Sequence, residues 1–338
     1  MTLHKESETL HRIRNKVAPA AVLQAISARH TKIKLNYTVF EEGQTRKSWL
    51  RFVAIDYLIF FYILLTFALM ILYHKRLDDP LPHVLFRFGV VALIFILMWL
   101  YHRFPGNITA FLRYAYPLAI ISYFYSETEY FNHLFFQNLD PYFASLEQTI
   151  FGFQPSLEFS AIIPYKWFSE MMYLGYFSYY FFTFFICFAI YIARIDVFQK
   201  VTFVIVYAFI LYYIIFIILP VVGPQYYFPY PQNQVPAQGF FGSLVKFIQS
   251  MAERPTAAFP SAHVGIGIIF LYFAVVYLPR LAPFMVFFFC ILCFATIYIK
   301  AHYMIDVMAG LVFGPLLGFT GSRIYRFMHI VRLNAAES

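Results

Sequence analysis

Two histidines are the residues of this chain best suited to catalysis. His263 follows Pro260 and Ser261, and His302 lies four residues before Asp306. Residues four apart share one face of a helix, so Asp306 could accept an N–H from His302 and leave its other ring nitrogen nucleophilic. A helix with Pro260 in its first turn would present its amides to an anion, and His263 there could protonate a leaving oxygen. The combination favours phosphoryl transfer through a phosphohistidine.

The spacing between the two histidines predicts that they meet. The chain turns once between them, at residues 279–283. At ~1.5 Å per helical residue, the two legs run roughly 24 Å and 28 Å. Either leg crosses most of a hydrocarbon core of about 30 Å. A helical hairpin would therefore return His302 to the membrane face at which His263 begins.

Four further residues are candidates for binding the phosphate: Arg254, Ser261, Lys300 and Lys246. Arg pairs naturally with phosphate oxygens, and the helix amides and lysines could stabilise developing charge without a metal or other cofactor. Zinc bound by the two histidines and Asp306 is the competing chemistry, which surrounding cations would disfavour. Each of these residues also has a purely structural interpretation. His302 and Asp306 could form an ion pair at a helix end, and His263 could lie among lipid headgroups. The lysines could simply extend to the membrane surface.

Composition excludes an ordinary soluble domain. The chain is 61% hydrophobic and 12% charged, which is typical of a polytopic membrane protein. We therefore predict an all-α bundle of about eight membrane-spanning helices. No glycine-rich phosphate loop accompanies the +8 net charge, so the charge indicates topology and no nucleic-acid partner is predicted. The three cysteines lie in apolar runs and are interpreted as buried, inert thiols.

Apolar runs and polar interruptions predict the organisation of the chain. A basic, amphipathic segment, 1–51, precedes accessory and first core helices at 52–125 and a polar, aromatic cap at 126–165. The catalytic bundle would occupy 166–322, including an ordered loop at 221–258, and the tail 323–338. The predicted membrane spans are 52–73, 84–101, 108–125, 167–192, 201–220, 259–279, 283–300 and 303–322.

Lysine and arginine distribution predicts the orientation. Eight spans with both termini in the cytoplasm place 17 of these residues on the cytoplasmic side and six on the other, as the positive-inside rule requires. The cap, the 221–258 loop and both histidines would then lie on the extracytoplasmic face. Arg87 and Arg113 fall within spans, and with Asp56 they could instead form the polar pathway of a transporter.

Three stretches resemble motifs of the type 2 phosphatidic acid phosphatase superfamily. Pro260-Ser261-Ala262-His263 matches its second motif, and the stretch from His302 to Asp306 matches its third. The first motif is partial: Arg254-Pro255 is present, but Phe247 stands at the lysine position. The Ser-Arg that usually precedes the third motif is replaced by Ala295 and Thr296. The run from Pro220 to Tyr226 and the segment 140–152 resemble the inositol-phosphorylceramide synthase branch.

The resemblance, which covers roughly residues 138–322, implies a six-helix phosphatase core with two accessory N-terminal helices, and it implies roles for the site. His302 would be the nucleophile, Asp306 would orient it, and His263 would protonate the leaving group, while Arg254 and Ser261 would hold phosphate. The predicted function is a lipid-phosphate phosphatase embedded in the bilayer. A transferase that moves a phospho-alcohol group onto a lipid or inositol-type hydroxyl would use the same residues, and a non-catalytic lipid binder or transporter is the interpretation from a different class. The oligomeric state is not predicted.

Overall fold

The described part of the chain is entirely helical in its regular structure. The computed structural model describes residues 50–235 and 239–337, with side chains as far as residue 329, so the predicted segment 1–51 lies almost wholly outside it. The described residues form twelve helices and no strand, which confirms the all-α prediction. They are α1 (Ala54–Leu72), α2 (Leu81–Arg103), α3 (Asn107–Tyr130), α4 (Asp140–Phe151), α5 (Pro155–Ile162), α6 (Lys166–Ala193), α7 (Ile195–Ile218), α8 (Pro224–Tyr227), α9 (Phe240–Ala252), α10 (Ala262–Tyr277), α11 (Ala282–Tyr298) and α12 (Met304–Glu337).

Eight long helices occupy the positions of the eight predicted spans. Among the described residues, α1, α2, α6, α7 and the 304–329 part of α12 are long and apolar enough to cross a membrane. The chain is therefore an integral membrane protein. Helices α10 and α11 are apolar but have only 16 and 17 residues, and α3 is less apolar because it carries Arg113, Glu127 and Glu129.

Close backbone contact between α10 and α12 organises the core. A methyl group on Gly314 of α12 would lie 2.5 Å from the carbonyl oxygen of Gly265 in α10. One on Gly310 would lie 2.6 Å from the carbonyl oxygen of Ser261. Small residues let membrane helices approach this closely, because no side chain separates the backbones. Helix α7 packs against both α10 and α12 and is the most buried of the apolar helices described.

The four buried charged residues of α1–α3 are paired with one another. Arg113 donates to both carboxylate oxygens of Asp56. Arg87 donates to Glu127 at 2.7 Å and 3.0 Å, and to the Thr66 hydroxyl. Pairing of this kind offsets the cost of placing charge in an apolar bundle. It accounts for Asp56, Arg87 and Arg113 without a transport pathway.

The polar segments gather at the end of the bundle where α10 and α12 begin. Two short helices, α4 and α5, lie in the predicted cap. The 221–258 segment was predicted to be a loop, but it contains α8 and the 13-residue helix α9. Helix α9 was not predicted because Gly239 and Gly242, near its start, are residues typical of loops. One of its faces packs on α6, while Phe240, Phe247 and Met251 are exposed.

Candidate active site at the paired histidines

The two histidines meet, as their spacing predicts. Nδ1 of His263, in the first turn of α10, lies 3.1 Å from Nε2 of His302, just before α12. Helices α10 and α11 form the hairpin that brings them together, with its turn at residues 278–281. The backbone N–H of Ser261 also donates to the carbonyl oxygen of Asp306 at 3.0 Å. The beginnings of α10 and α12 are therefore joined directly.

The tautomer of His302 is fixed by a backbone group. Its Nδ1 lies 2.8 Å from the carbonyl oxygen of Ala258, which can only accept, so Nδ1 carries the proton. Asp306 Oδ2 is farther from Nδ1, at 3.5 Å. Burial lowers the pKa of His302 to about 4, so the imidazole is neutral near pH 7. Its Nε2 then has a free lone pair directed toward His263.

The contribution of Ala258 is the main departure from the expected geometry. Asp306 was expected to orient His302 by itself, but the Ala258 carbonyl makes the shorter contact. Ala258 is anchored by its N–H to the carbonyl oxygen of Val221 at 2.9 Å. The preceding residue, Ala257, has a φ of 71°, in the left-handed region that non-glycine residues seldom adopt. Strain of this kind persists where the surrounding contacts require it, and here it aims the carbonyl at His302.

Ser261 begins α10, and Pro260 lies before the helix. The Ser261 hydroxyl accepts from the N–H of Val264 at 3.4 Å, the arrangement of an N-cap. The prediction that Pro260 lies in the first turn of this helix was wrong by two positions, because Ser261 is the N-cap and the helix begins at Ala262. The buried Ser261 therefore helps to fix the helix start that carries His263.

Two cap carboxylates position the third-motif segment. Asp140 accepts from the N–H groups of Val222 and Gly223, at 2.7 Å and 2.9 Å, and from the Tyr303 hydroxyl at 3.0 Å. Glu147 accepts from the N–H of Ile305 at 3.2 Å, in the first turn of α12. Both carboxylates are fully buried. Through these hydrogen bonds the cap reaches both sides of the segment that carries His302, which explains why the cap belongs to the site.

Glu147 predicts a pH-dependent stability. Burial raises its pKa from 4.5 to about 7, with a smaller contribution from the charge of Asp306. The stability that the protonated Glu147 contributes is fully present below pH 4.5 and is lost as the pH rises through 7. We expect the melting temperature of the wild-type protein to fall relative to that of Glu147→Gln between about pH 5 and pH 8. The exposed Glu158→Gln is the control, and an equal pH response of all three proteins would contradict the prediction.

The predicted cations lie around the site without contacting the histidines. Arg254 is 45% exposed and pairs loosely with Glu129, at 3.8 Å. Lys300 is buried and donates to the carbonyl oxygen of Gln232 at 2.6 Å, and burial lowers its pKa. Lys246 is exposed on α9. Arg254 faces a cleft of about 530 Å³ whose polar lining includes Arg76, His83, Glu127, Glu129 and Tyr130.

The polar groups nearest His263 were not found from the sequence. Its ring lies against those of Tyr176 and Tyr179, with centroids 4.7 Å and 4.5 Å away. Tyr176 also donates to Glu253, whose charge opposes the lowered pKa of His302. The tyrosines are inconspicuous in an aromatic-rich apolar helix. Glu253 directly precedes Arg254, but its side chain has a different set of partners.

The family of the chain follows from a match that includes this geometry. The family model described as the PAP2 superfamily matches residues 143–317, about half of the chain, from α4 into α12. The chain belongs to the PAP2 superfamily. Members of this superfamily are generally phosphatases or phosphotransferases, often of lipid phosphates. No curated protein and no solved structure matches the chain.

The superfamily match has a clear boundary in the fold. It includes both histidines, Asp306 and the motif arginine, Arg254. It leaves out α1–α3, where Arg76, His83 and Glu129 lie. The cleft beside Arg254 is therefore lined almost entirely by residues outside the match, and among the described residues Arg254 is its one lining residue within the match.

Proposed function

We propose that the protein is a membrane-embedded lipid-phosphate phosphatase that works through a phosphohistidine. The observation that carries this proposal is the 3.1 Å contact between Nε2 of a neutral, tautomer-fixed His302 and Nδ1 of His263. A nucleophile and a proton-transfer group within hydrogen-bonding distance, with a third group orienting the nucleophile, are typical of covalent catalysis. The positions match the superfamily motifs at all three residues.

The proposed reaction has two balanced steps. The Nε2 lone pair of His302 attacks phosphorus as the P–O bond to the lipid alcohol breaks. His263, held protonated by the negative charge of the entering phosphate, gives its proton to the departing oxygen. Water then attacks the phosphohistidine, gives a proton to His263, and the P–N bond breaks to release inorganic phosphate. Throughout, Ala258 and Asp306 face Nδ1 of His302 and stabilise the positive charge that develops on its ring.

Binding of phosphate is assigned to the groups around the pair. We propose that Ser261 and the first amides of α10 attract the anion, as helix N-termini do. Lys300 and Lys246 contribute positive charge nearby. The exposed pairing of Arg254 with Glu129 is of the kind worth only about 0–1 kcal/mol, so it does not prevent Arg254 from turning to a phosphate.

The test uses purified protein and a panel of radiolabelled lipid phosphates. Free phosphate should be released, and rapid acid-free quenching should trap label on the wild-type protein as a phosphohistidine. Label that is absent from His302 under turnover conditions would overturn the proposed intermediate.

A phosphotransferase, such as one like inositol-phosphorylceramide synthase, is the second candidate. The cleft of about 530 Å³ supports it, because a transferase needs room for an acceptor alcohol and the cleft adjoins Arg254, which is proposed to hold the phosphate. Ligand sites commonly enclose about 300–1,000 Å³. Supplying alcohols with the lipid phosphate separates the two reactions. A new phosphodiester would establish transfer, whereas phosphate as the sole product would support hydrolysis.

We also propose that the site faces the extracytoplasmic side. In a variant without native cysteines, Tyr230→Cys should react with a membrane-impermeant maleimide in intact cells. Tyr230 is 80% exposed near the histidine end of the bundle. The control, Arg280→Cys, lies in the turn at the opposite end and should react only after permeabilisation. The reverse pattern would overturn the orientation.

A further inference from the structure

Glu253 is held by four neutral hydrogen-bond donors. Its Oε1 accepts from the hydroxyls of Tyr176 and Tyr180, at 2.5 Å and 2.9 Å. Its Oε2 accepts from the amide nitrogens of Gln225 and Gln249, at 3.2 Å and 3.0 Å. An ionised carboxylate has about four lone-pair sites, so this set satisfies them all. We call Tyr176, Tyr180, Gln225 and Gln249 the anion cradle.

The anion cradle has the properties of a site for a tetrahedral oxyanion. Its donors come from α6, α8 and α9, so three separate elements converge on one point. Hydroxyl and amide donors recognise negatively charged oxygen without introducing a positive charge, and hydrogen bonds to charged groups are roughly twice as strong as neutral ones.

The anion cradle adjoins the histidine pair. The ring of Tyr176 lies 4.7 Å from that of His263, centroid to centroid, and its hydroxyl donates to Glu253. Glu253 itself stands at the C-terminal end of α9, next to Arg254. A phosphate attacked by His302 would approach these donors, but a carboxylate in the same place would repel it.

We propose that the anion cradle binds the phosphate of the substrate and that Glu253 occupies it in the resting protein as an internal competitor. The identity of the anion rests on the proposed function, whereas the competition rests on the four contacts. Glu253 must leave before phosphate enters. The side chain is at a helix end and only partly buried, so its departure leaves α9 intact.

The test measures binding of orthovanadate, a tetrahedral phosphate analogue, to full-length protein in nanodiscs by calorimetry. If the Glu253 side chain is out of the anion cradle for about a tenth of the time, removing it should tighten vanadate binding about tenfold. We therefore expect Glu253→Ala to lower the Kd about tenfold. In the Glu253→Ala protein, where no competitor remains, adding Tyr180→Phe should raise the Kd, because one donor to vanadate is lost. Asp196→Ala, which removes an acidic side chain at the other end of the bundle, is the control for the change in charge.

Unchanged or weaker binding to Glu253→Ala would overturn the proposal, since the carboxylate would then support the site instead of competing for it. Glu253→Gln guards against misfolding, because it keeps the side-chain length and should also tighten binding. Vanadate binding needs no turnover, so it is separable from the proposed function. Loss of hydrolysis in His302→Ala with no effect of Glu253→Ala would leave the phosphatase standing and reject the competitor alone.

Discussion

Replacing His302 with alanine is expected to remove lipid-phosphate hydrolysis. The substitution eliminates the Nε2 lone pair and with it the proposed covalent intermediate, and loss of a covalent nucleophile typically lowers kcat by roughly 10⁴-fold or more. Phosphate release by the purified variant, measured beside that of the wild-type protein, checks the result. Label from a radioactive substrate should also no longer be trapped on the protein.

The matched control is His74→Ala. His74 is exposed between α1 and α2, so its loss changes no contact at the histidine pair. Its activity should equal that of the wild-type protein. If His302→Ala hydrolysed lipid phosphates at the wild-type rate, His302 would not be the nucleophile and the phosphohistidine mechanism would be rejected.

Gly314→Ala is expected to destabilise the bundle and to lower activity. Alanine is favoured over glycine within a helix by about 0.8–1.0 kcal/mol, so propensity alone predicts a gain. In α12, however, the new methyl group would lie 2.5 Å from the carbonyl oxygen of Gly265 and 2.8 Å from its Cα. Backbone atoms cannot turn aside, so α12 must move away from α10. Overpacking of this kind costs about 1–3 kcal/mol, and it would also separate the paired histidines.

Gly318→Ala, one turn farther along α12, is the control. Its methyl group would meet Ile269 at 3.4 Å and 3.9 Å, which is ordinary contact with a side chain. We expect this variant to melt at or slightly above the wild-type temperature and Gly314→Ala to melt below it, both measured in the same detergent. Equal melting temperatures for the two variants would show that α10 and α12 are less tightly joined than their backbones indicate.

The sequence predicted the parts of the site that depend on helix length and residue type. Apolar runs of the right length predict the long helices, and the turn between two such runs brings His263 to His302. These inferences succeed because an α-helix has a fixed rise and period, so spacing along the chain converts directly into position.

The remaining parts depend on tertiary contacts that no local pattern reveals. The Ala258 carbonyl holds His302 through a backbone group, which is the same in every residue type. Glu253 and Arg254 are neighbours in sequence, yet one contacts the tyrosines beside His263 and the other contacts Glu129. Glu147 is an ordinary polar residue in the sequence until α4 is placed over the first turn of α12.

The direct bond from Ser261 to Asp306 has a consequence for how this protein can diversify. It joins the two histidine motifs into one unit, so neither can shift without the other. Relatives that act on other substrates should therefore keep the two joined histidine motifs and differ in the residues around them. The cleft beside Arg254, lined almost entirely by residues outside the superfamily match, is free of that constraint. Sequence differences among relatives should accordingly be largest at α1–α3, while the two joined histidine motifs stay the same.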